Sequence, residues 1–408
     1  SGKDLNVALL GTGAQGQVLL NACLKIPNIK FKAVCDIWES YNLQRAFRLL
    51  QKYGHKLNAY TDYQEMLSKE KNLDAVIIAT PDFWHAEHAV NCMEAGLHVY
   101  CEKEMSNTLE GAKRIVEAAR RTGKKVQIGH QRRSNPNYLH CYNHLINDSQ
   151  ILGRITTVNG QWNRSVQPDN GWPKPNAIPA AVLKRYGYDN MHQHRNWRWY
   201  KKLGGGPIVD LGSHQIDIYN WFLKTNPSSV IASGGTDYYD KRTHEWYDTV
   251  LATYTYKTEK GIVRASYQTI TTNSNQGYFE SFMGDQGSLT ISESAGRAGI
   301  YKEPGNIDWE KWIRMKYIDA PTDEKPKDST AVLDVRETVA PQKHKLPILF
   351  NDPYHKPHLE NFFNAIRGKE KLNCPVEIGY ETAVTVLKAN EAVKSRRELF
   401  FNRSEFKI

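Results

Sequence analysis

The segment LNVALLGTGAQG, residues 5–16, joins a short apolar run to a G-x-G-x-x-G pattern. The run ends at glycine and predicts a buried strand, and Gln15 to Leu24 reads as the helix after it. Between strand and helix the glycines have separate uses. Gly11 allows a tight turn, Gly13 lets backbone approach a pyrophosphate, and Gly16 lets helix and strand pack closely. The helix start also offers unpaired N–H groups and a positive dipole to phosphates. Gly11, Thr12, Gly13, Ala14, Gln15 and Gly16 are therefore the candidate cofactor cradle. A glycine-rich turn without a ligand is the alternative.

The pattern continues outward. Phe31 to Cys35 predicts a second strand, ending at Asp36, twenty residues after Gly16. A carboxylate there accepts hydrogen bonds from the adenosine ribose and repels a 2′-phosphate, which favours NAD over NADP. The other reading is a surface aspartate. Helix at 41–53, strand at Ala75 to Ala79, helix around His85 to Ala95, strand at Leu97 to Cys101, helix at Leu109 to Arg121 and strand at Lys125 to Ile128 follow. This alternation predicts an α/β fold whose first unit is a doubly wound parallel sheet. Its boundary is drawn at 1–130. Thr80 and Pro81, after the third strand, are placed beside the cofactor.

Residues 131–408 read as a second, α+β unit. An irregular aromatic-rich stretch runs from Trp162 to Tyr200, then a helix from Ile208 to Leu223. Strands at Val230 to Tyr238, Thr249 to Tyr256, Ile262 to Thr271 and Tyr278 to Gly284 are close enough to pair antiparallel. Residues 296–350 read as surface loops, and helices at His358 to Ile366 and Gly379 to Ser395 close the chain, the last expected against the first unit.

Bulk properties exclude some classes. The 408 residues exceed one ordinary core and carry a formal charge of +10. The basic residues form neither a stripe nor a recognition motif, so no nucleic-acid partner is expected. No apolar run reaches membrane-spanning length. The cysteines, Cys23, Cys35, Cys92, Cys101, Cys141 and Cys374, include no C-x-x-C pair and are expected as buried thiols. Ser1-Gly2 reads as an expression scar, leaving the compartment open between bacterial cytoplasm and export.

Two clusters carry candidate chemistry. Lys103, in Glu102-Lys103-Glu104 at the end of the fourth strand, suits a substrate hydroxyl, because its charge stabilises an alkoxide; a plain surface lysine is the alternative. The second cluster is GGGPIVDLGSHQID, residues 204–217. On a continuous helix Asp210, His214 and Asp217 share one face, and the glycine run would admit a ligand closely. His214 then takes a proton and Asp210 orients it or holds a hydroxyl; a buried histidine satisfied by aspartate fits the spacing equally. His192, His194, Arg195, Asn196, Trp197 and Trp199 suit a sugar or a packed loop. Gln131-Arg132-Arg133, with Arg132 the candidate within it, faces the pocket or joins the units. His85 and His88 lack further ligands at zinc spacing, so no metal is expected.

Together these segments resemble the glucose–fructose oxidoreductase / inositol dehydrogenase / MocA-type (Gfo/Idh/MocA) family over nearly the whole chain. The match runs through Gly11 to Gly16, Asp36, Ala79-Thr80-Pro81 with His85, Glu102-Lys103, the glycine run to Asp210 and His214, and the final helix. The resemblance implies a Rossmann domain, a second domain with a large open sheet, and homo-oligomers, dimers or tetramers. It implies cofactor contacts from Thr80, Pro81, His85, Glu102 and Lys103. It further implies Lys103 as the catalytic lysine, Asp210 as a substrate-binding acid and His214 as the acid/base, with Arg132, Arg195 and Trp197 near the substrate. Glu104 stands where the family usually has proline. The expected activity is NAD-dependent oxidation of a ring hydroxyl on a sugar, glycoside or polyol. Two alternatives stay open: a glycosidase or lyase working through transient oxidation and elimination, and a non-catalytic NAD-binding sensor, against which Lys103, Asp210 and His214 together argue.

Overall fold

The computed structural model describes residues 2–322, 336 and 338–408. Six strands, β1 (Leu5–Leu10), β2 (Ile29–Cys35), β3 (Asn58–Tyr60), β4 (Ala75–Ile78), β5 (His98–Cys101) and β6 (Val126–Ile128), form one sheet in the order β3-β2-β1-β4-β5-β6. Every pairing in it is parallel. Helices α1 (Ala14–Cys23), α2 (Gln44–Lys52), α3 (Tyr63–Lys69), α4 (Asp82–Glu94) and α5 (Leu109–Thr122) connect the strands. The strand order reverses between β1 and β4, which opens a crevice at their carboxyl ends. Val7 and Leu9 of β1 point into one core with Leu19, Leu20, Leu359, Phe362 and Phe363. Ala8 and Leu10 point into the other, shared with Val158, Tyr254 and Phe282 of the second sheet. Apolar residues on both faces are what a sheet covered on both sides requires.

Among the described residues the second sheet has nine strands: β7 (Ile155–Asn163), β8 (Pro227–Gly235), β9 (Thr249–Thr258), β10 (Gly261–Ile270), β11 (Tyr278–Gly284), β12 (Gly287–Ile291), β13 (Gly299–Lys302), β14 (Gln342–His344) and β15 (Leu399–Phe400). Their order is β14-β13-β12-β11-β7-β10-β9-β8-β15. Only β7 and β10 pair in parallel, so the sheet is mixed and mostly antiparallel. The helix Val376–Ser395 packs against α5, β6 and β8. Gly379 permits this, since a Cβ there would lie 2.6 Å from Ile128. No helix among the described residues is long and apolar enough to cross a membrane.

Several elements differ from the sequence reading. β3 and α3 are additions within residues 54–74. β7 precedes the irregular stretch and lies in the middle of the second sheet. The stretch 296–350 is not all loop: it contains β13, β14 and the helix Glu310–Arg314. The part of that reading at 323–335 and 337 lies outside the described residues. The helix expected from Ile208 to Leu223 is two helices, Gly206–Asp210 and Gly212–Leu223, meeting at Leu211.

The irregular stretch has its own small core. Ile178, Leu183, Tyr188, Met191, Tyr200 and Leu203 pack around Trp38, just beyond β2. The Trp38 indole N–H donates to the Asn176 carbonyl at 2.6 Å. The insert is thereby fixed beside the end of β2, where it can wall the crevice.

Candidate active site

A cleft of about 480 Å³ runs from the β1–α1 turn to the second sheet. At one end are Gly11, Gly13, Ala14, Gln15 and Asp36. Gly11 has φ of +90°, and a Cβ there would stand 2.6 Å from the Ala79 carbonyl carbon. A Cβ on Gly16 would lie 2.1 Å from the Gly11 oxygen, so Gly16 serves the packing of α1 and does not line the cleft. Gly13 differs: its Cβ would meet only the Asn42 amide at 3.6 Å, an ordinary contact. No protein packing explains this glycine, and a cradle that a Cβ would begin to fill fits close backbone approach to a phosphate.

Asp36 is fixed from behind. One oxygen accepts from the Thr12 N–H at 2.8 Å and its hydroxyl at 3.1 Å; the other accepts from the Trp38 N–H at 2.8 Å. Thr12 thus orients Asp36 without lining the cleft. Burial raises the Asp36 pKa, and these hydrogen bonds oppose the rise. The oxygen that meets Trp38 retains an acceptor site for a ribose hydroxyl.

Thr80, Pro81, Asp82, His85, Glu102 and Lys103 line the middle of the cleft. The two ring nitrogens of His85 face carbonyl oxygens, Glu104 at 2.7 Å and Thr80 at 2.6 Å. His85 therefore ties the loops after β4 and β5 together. Burial lowers its pKa to about 4. His88 is also buried, with Nδ1 3.0 Å from the Thr80 hydroxyl. Glu102 accepts from the Gln15 side chain at 3.1 Å, and the same nitrogen lies 3.1 Å from His355 Nε2.

Lys103 reaches across to the helix Gly206–Asp210. Its Nζ donates to the Asp210 carbonyl and stands 3.4 Å from the Asp210 carboxylate. The other carboxylate oxygen takes Arg198 Nε at 3.0 Å. Burial alone would raise the Asp210 pKa, yet the Lys103 and Arg198 cations hold it well below the usual carboxylate range. Nearby, burial and the Asp210 charge push Asp82 up to about 7.

His214 also lines the cleft, on the second helix. Burial, then Lys103, Arg132, His130 and His355, hold its pKa well below 6.5, so the ring is neutral at pH 7. Its Nδ1 is buried without a partner, and its ring lies 5.4 Å from that of Trp162. The break at Leu211 divides the three-residue face expected here: Asp217 leaves the cleft and ion-pairs Arg133 at 2.8 Å. The glycine run also needs correction. A Cβ on Gly204, Gly205 or Gly206 would meet Trp197 at 3.2 Å, Val209 at 2.6 Å or Trp246 at 2.7 Å, and none of the three lines the cleft. These glycines serve packing within the protein.

Glu104 does not line the cleft, and the Lys103–Glu104 peptide is cis. Its carboxyl is fully buried; Oε1 accepts from the Met105 N–H at 2.8 Å and Oε2 has no partner. Burial, with Asp82 adding to it, pushes the pKa up to about 8 against the Met105 amide and Lys103. The carboxyl is neutral at pH 7. A folded-state value above the ordinary 4.5 means the folded protein holds this proton more tightly. This contribution to stability is complete below about 4.5 and is lost as pH rises to about 8. Glu104→Gln should flatten that slope, read from urea midpoints at acid, neutral and mildly alkaline pH; parallel slopes in both proteins would refute a carboxyl held neutral.

The far end of the cleft joins insert and sheet. Arg195 and Trp197 line it, Arg195 donating to the Gly171 carbonyl at 2.9 Å. His194 lines it too, whereas His192 bonds Tyr200 and Asp169. Arg132 does not reach the cleft. It is 1% exposed and ion-paired to Glu280 and to Glu293 at 3.1 Å, because a buried guanidinium needs carboxylates around it. Residues that line the cleft and that sequence reasoning did not single out include Arg198, Trp162, Tyr278, Glu293 and His355, while Gln131 belongs to the Gln131-Arg132-Arg133 stretch expected to face the pocket or join the units. For Arg198 a signal existed: it lies within the Asn196-Trp-Arg-Trp199 motif, three residues after Arg195, another cationic wall residue.

Residues 5–130 match the profile of an oxidoreductase family's NAD-binding Rossmann fold, and residues 145–399 match its C-terminal alpha/beta domain. Inositol 2-dehydrogenase of Salmonella typhimurium is 31% identical over 191 residues, 46% of this chain and 54% of that protein. D-glucoside 3-dehydrogenase of Escherichia coli is 29% identical over 221 residues, 54% of each. The chain thus spans about half the length of the curated relatives it matches. The WlbA dehydrogenase of Bordetella pertussis, solved with NADH and UDP-GlcNAcA, superposes with a TM-score of 0.72 over 98% of this chain and 99% of its own, at 17% identity. That likeness speaks to the fold.

Proposed function

The chain belongs to the Gfo/Idh/MocA oxidoreductase family, and from that premise we propose that it oxidises a ring hydroxyl of a sugar, glycoside or polyol, with NAD as the acceptor. The observation that carries this reading is one cleft with the Gly11–Gly13 cradle and Asp36 at one end and Lys103, Asp210 and His214 together further along it. In this reading residues 1–130 hold the cofactor and residues 131–408 supply substrate contacts and the oligomer surface. Bound NAD supplies the hydride acceptor. Neutral His214 takes the hydroxyl proton as the carbonyl forms. The Lys103 ammonium donates a hydrogen bond to the developing oxyanion. Asp210, held ionised by two cations, positions Lys103 and accepts from a neighbouring hydroxyl. The names of the relatives, an inositol and a glucoside dehydrogenase, support a polyhydroxylated substrate.

The test follows absorbance at 340 nm while the protein with NAD meets inositols, free sugars and aryl glycosides, with released aglycone assayed in the same wells. NADH accumulating with one of them is the expected result. Aglycone release without lasting NADH would replace this reading by redox-assisted glycoside cleavage, and silence in both channels would count against catalysis on these compounds. Asp36 gives a second expectation. Asp36→Ala should raise the KM for NAD by about tenfold or more and narrow the preference over NADP, since a ribose acceptor and the charge repelling a 2′-phosphate vanish together. An unchanged NAD/NADP ratio would remove Asp36 from the cofactor site.

A further inference from the structure

The wall of the cleft formed by the second sheet holds a polar pair that no step of the proposed reaction uses. Glu293 follows β12 and is only 9% exposed, yet it lines the cleft. Its Oε1 accepts from the Gln131 amide at 3.1 Å and its Oε2 from Arg132 Nε at 3.1 Å. A carboxylate oxygen has two acceptor sites, so each retains one. Gln131 also lines the cleft, is 4% exposed, and its carbonyl oxygen has no partner. Beside them Trp162 and Tyr278, cross-strand neighbours on β7 and β11, stack at 4.5 Å and 22°. Trp162 in turn lies against His214, so this wall reaches the proton-accepting ring.

Burying a carboxylate is costly, and here an almost wholly buried arginine supports it from behind. The result is a preorganised acceptor pair next to an aromatic surface. We propose that Glu293 and Gln131, with Trp162 and Tyr278 as an apolar floor, form a subsite for the vicinal hydroxyl pair of an uncharged sugar ring. This rests on the sugar reading above and narrows it. The acceptors take two adjacent hydroxyl protons, the rings meet the C–H face, and the Glu293 charge disfavours a sugar acid in the same place. Glu293 and Gln131 act on which substrate is held, not on the bonds that change.

The experiment measures binding, which separates this proposal from turnover. Methyl β-D-glucopyranoside, its 2-, 3- and 4-deoxy analogues and methyl β-D-glucuronide are titrated into the protein with NADH, with tryptophan fluorescence as readout. Wild type should bind the glucoside and lose about tenfold or more in affinity for at least one deoxy analogue and for the glucuronide. Glu293→Gln should weaken glucoside binding about tenfold and erase both differences, with NADH affinity retained. Gln131→Ala leaves the Arg132–Glu293 ion pair in place and should erase the deoxy difference alone. Sugar binding with discrimination unaltered in both variants overturns this inference and leaves the dehydrogenase reading standing. No response of wild type to any of these compounds, or to myo-inositol, overturns both.

Discussion

Replacing His214 by alanine is expected to lower kcat by about 10²- to 10⁴-fold, the usual loss for a general base, while NADH affinity changes by less than about twofold. His214 stands on the helix Gly212–Leu223, outside the Gly11–Gly16 turn, so its loss should spare cofactor binding. Its buried Nδ1 has no partner and its pKa lies well below 6.5, so the ring arrives at pH 7 with a lone pair to offer. The sign of the pH dependence follows. A base is inactive when protonated, and a depressed pKa moves that loss to acid pH. The acid limb of kcat/KM should therefore lie below pH 6.5, with a plateau through neutrality. Lys103→Ala should cost about 10²- to 10³-fold by removing the donor that meets the oxyanion. It should leave the acid limb in place, because His214 still titrates. A rate that instead climbs steadily through neutral pH and loses that climb in Lys103→Ala would exchange the two roles. Near-normal turnover in both variants would remove these residues from the chemistry.

How much of this was legible in the sequence depended on distance along the chain. The Gly11–Gly16 turn and Asp36 were readable because their signals are local: a glycine pattern, a strand end and a fixed separation. Lys103 and Asp210 could be named individually, but their contact spans 107 residues and no periodicity records it. β3 escaped because three residues, Asn58-Ala59-Tyr60, are too few to show alternation. β7 escaped because Ile155–Asn163 is mostly polar at its solvent face and ends in the aromatic run taken as irregular. The glycines at 204–206 were read as room for a ligand, whereas their neighbours Trp197, Val209 and Trp246 already use that room. Only the fold decides which of those two purposes a glycine serves. The same holds for Arg132, whose partners lie 148 and 161 residues away.

Arg132 is also where the largest loss of stability is expected. The guanidinium is 1% exposed, between Glu280, which is fully buried, and Glu293. Tyr138 donates to the second Glu280 oxygen at 2.9 Å, and the aromatic rings of Tyr138, Trp162 and Tyr278 lie 5.5–5.8 Å from the guanidinium carbon. Arg132→Met keeps much of that packing and leaves two buried carboxylates without their cation, which should cost about 3–5 kcal/mol. Burial already holds Glu280 up at about 7 with the arginine present, and without it the value must rise further. A carboxyl whose folded-state pKa exceeds the ordinary 4.5 loses its contribution as pH rises through the folded-state value. The penalty of Arg132→Met should therefore be larger at pH 8 than at pH 5, which lies below the raised folded-state value of Glu280. Adding Glu280→Gln to Arg132→Met should recover part of the loss at pH 8 and little at pH 5. Urea unfolding of the three proteins at both values reads this directly. A penalty equal at the two pH values would mean that lost packing, and not an unpaired charge, is what Arg132 prevents.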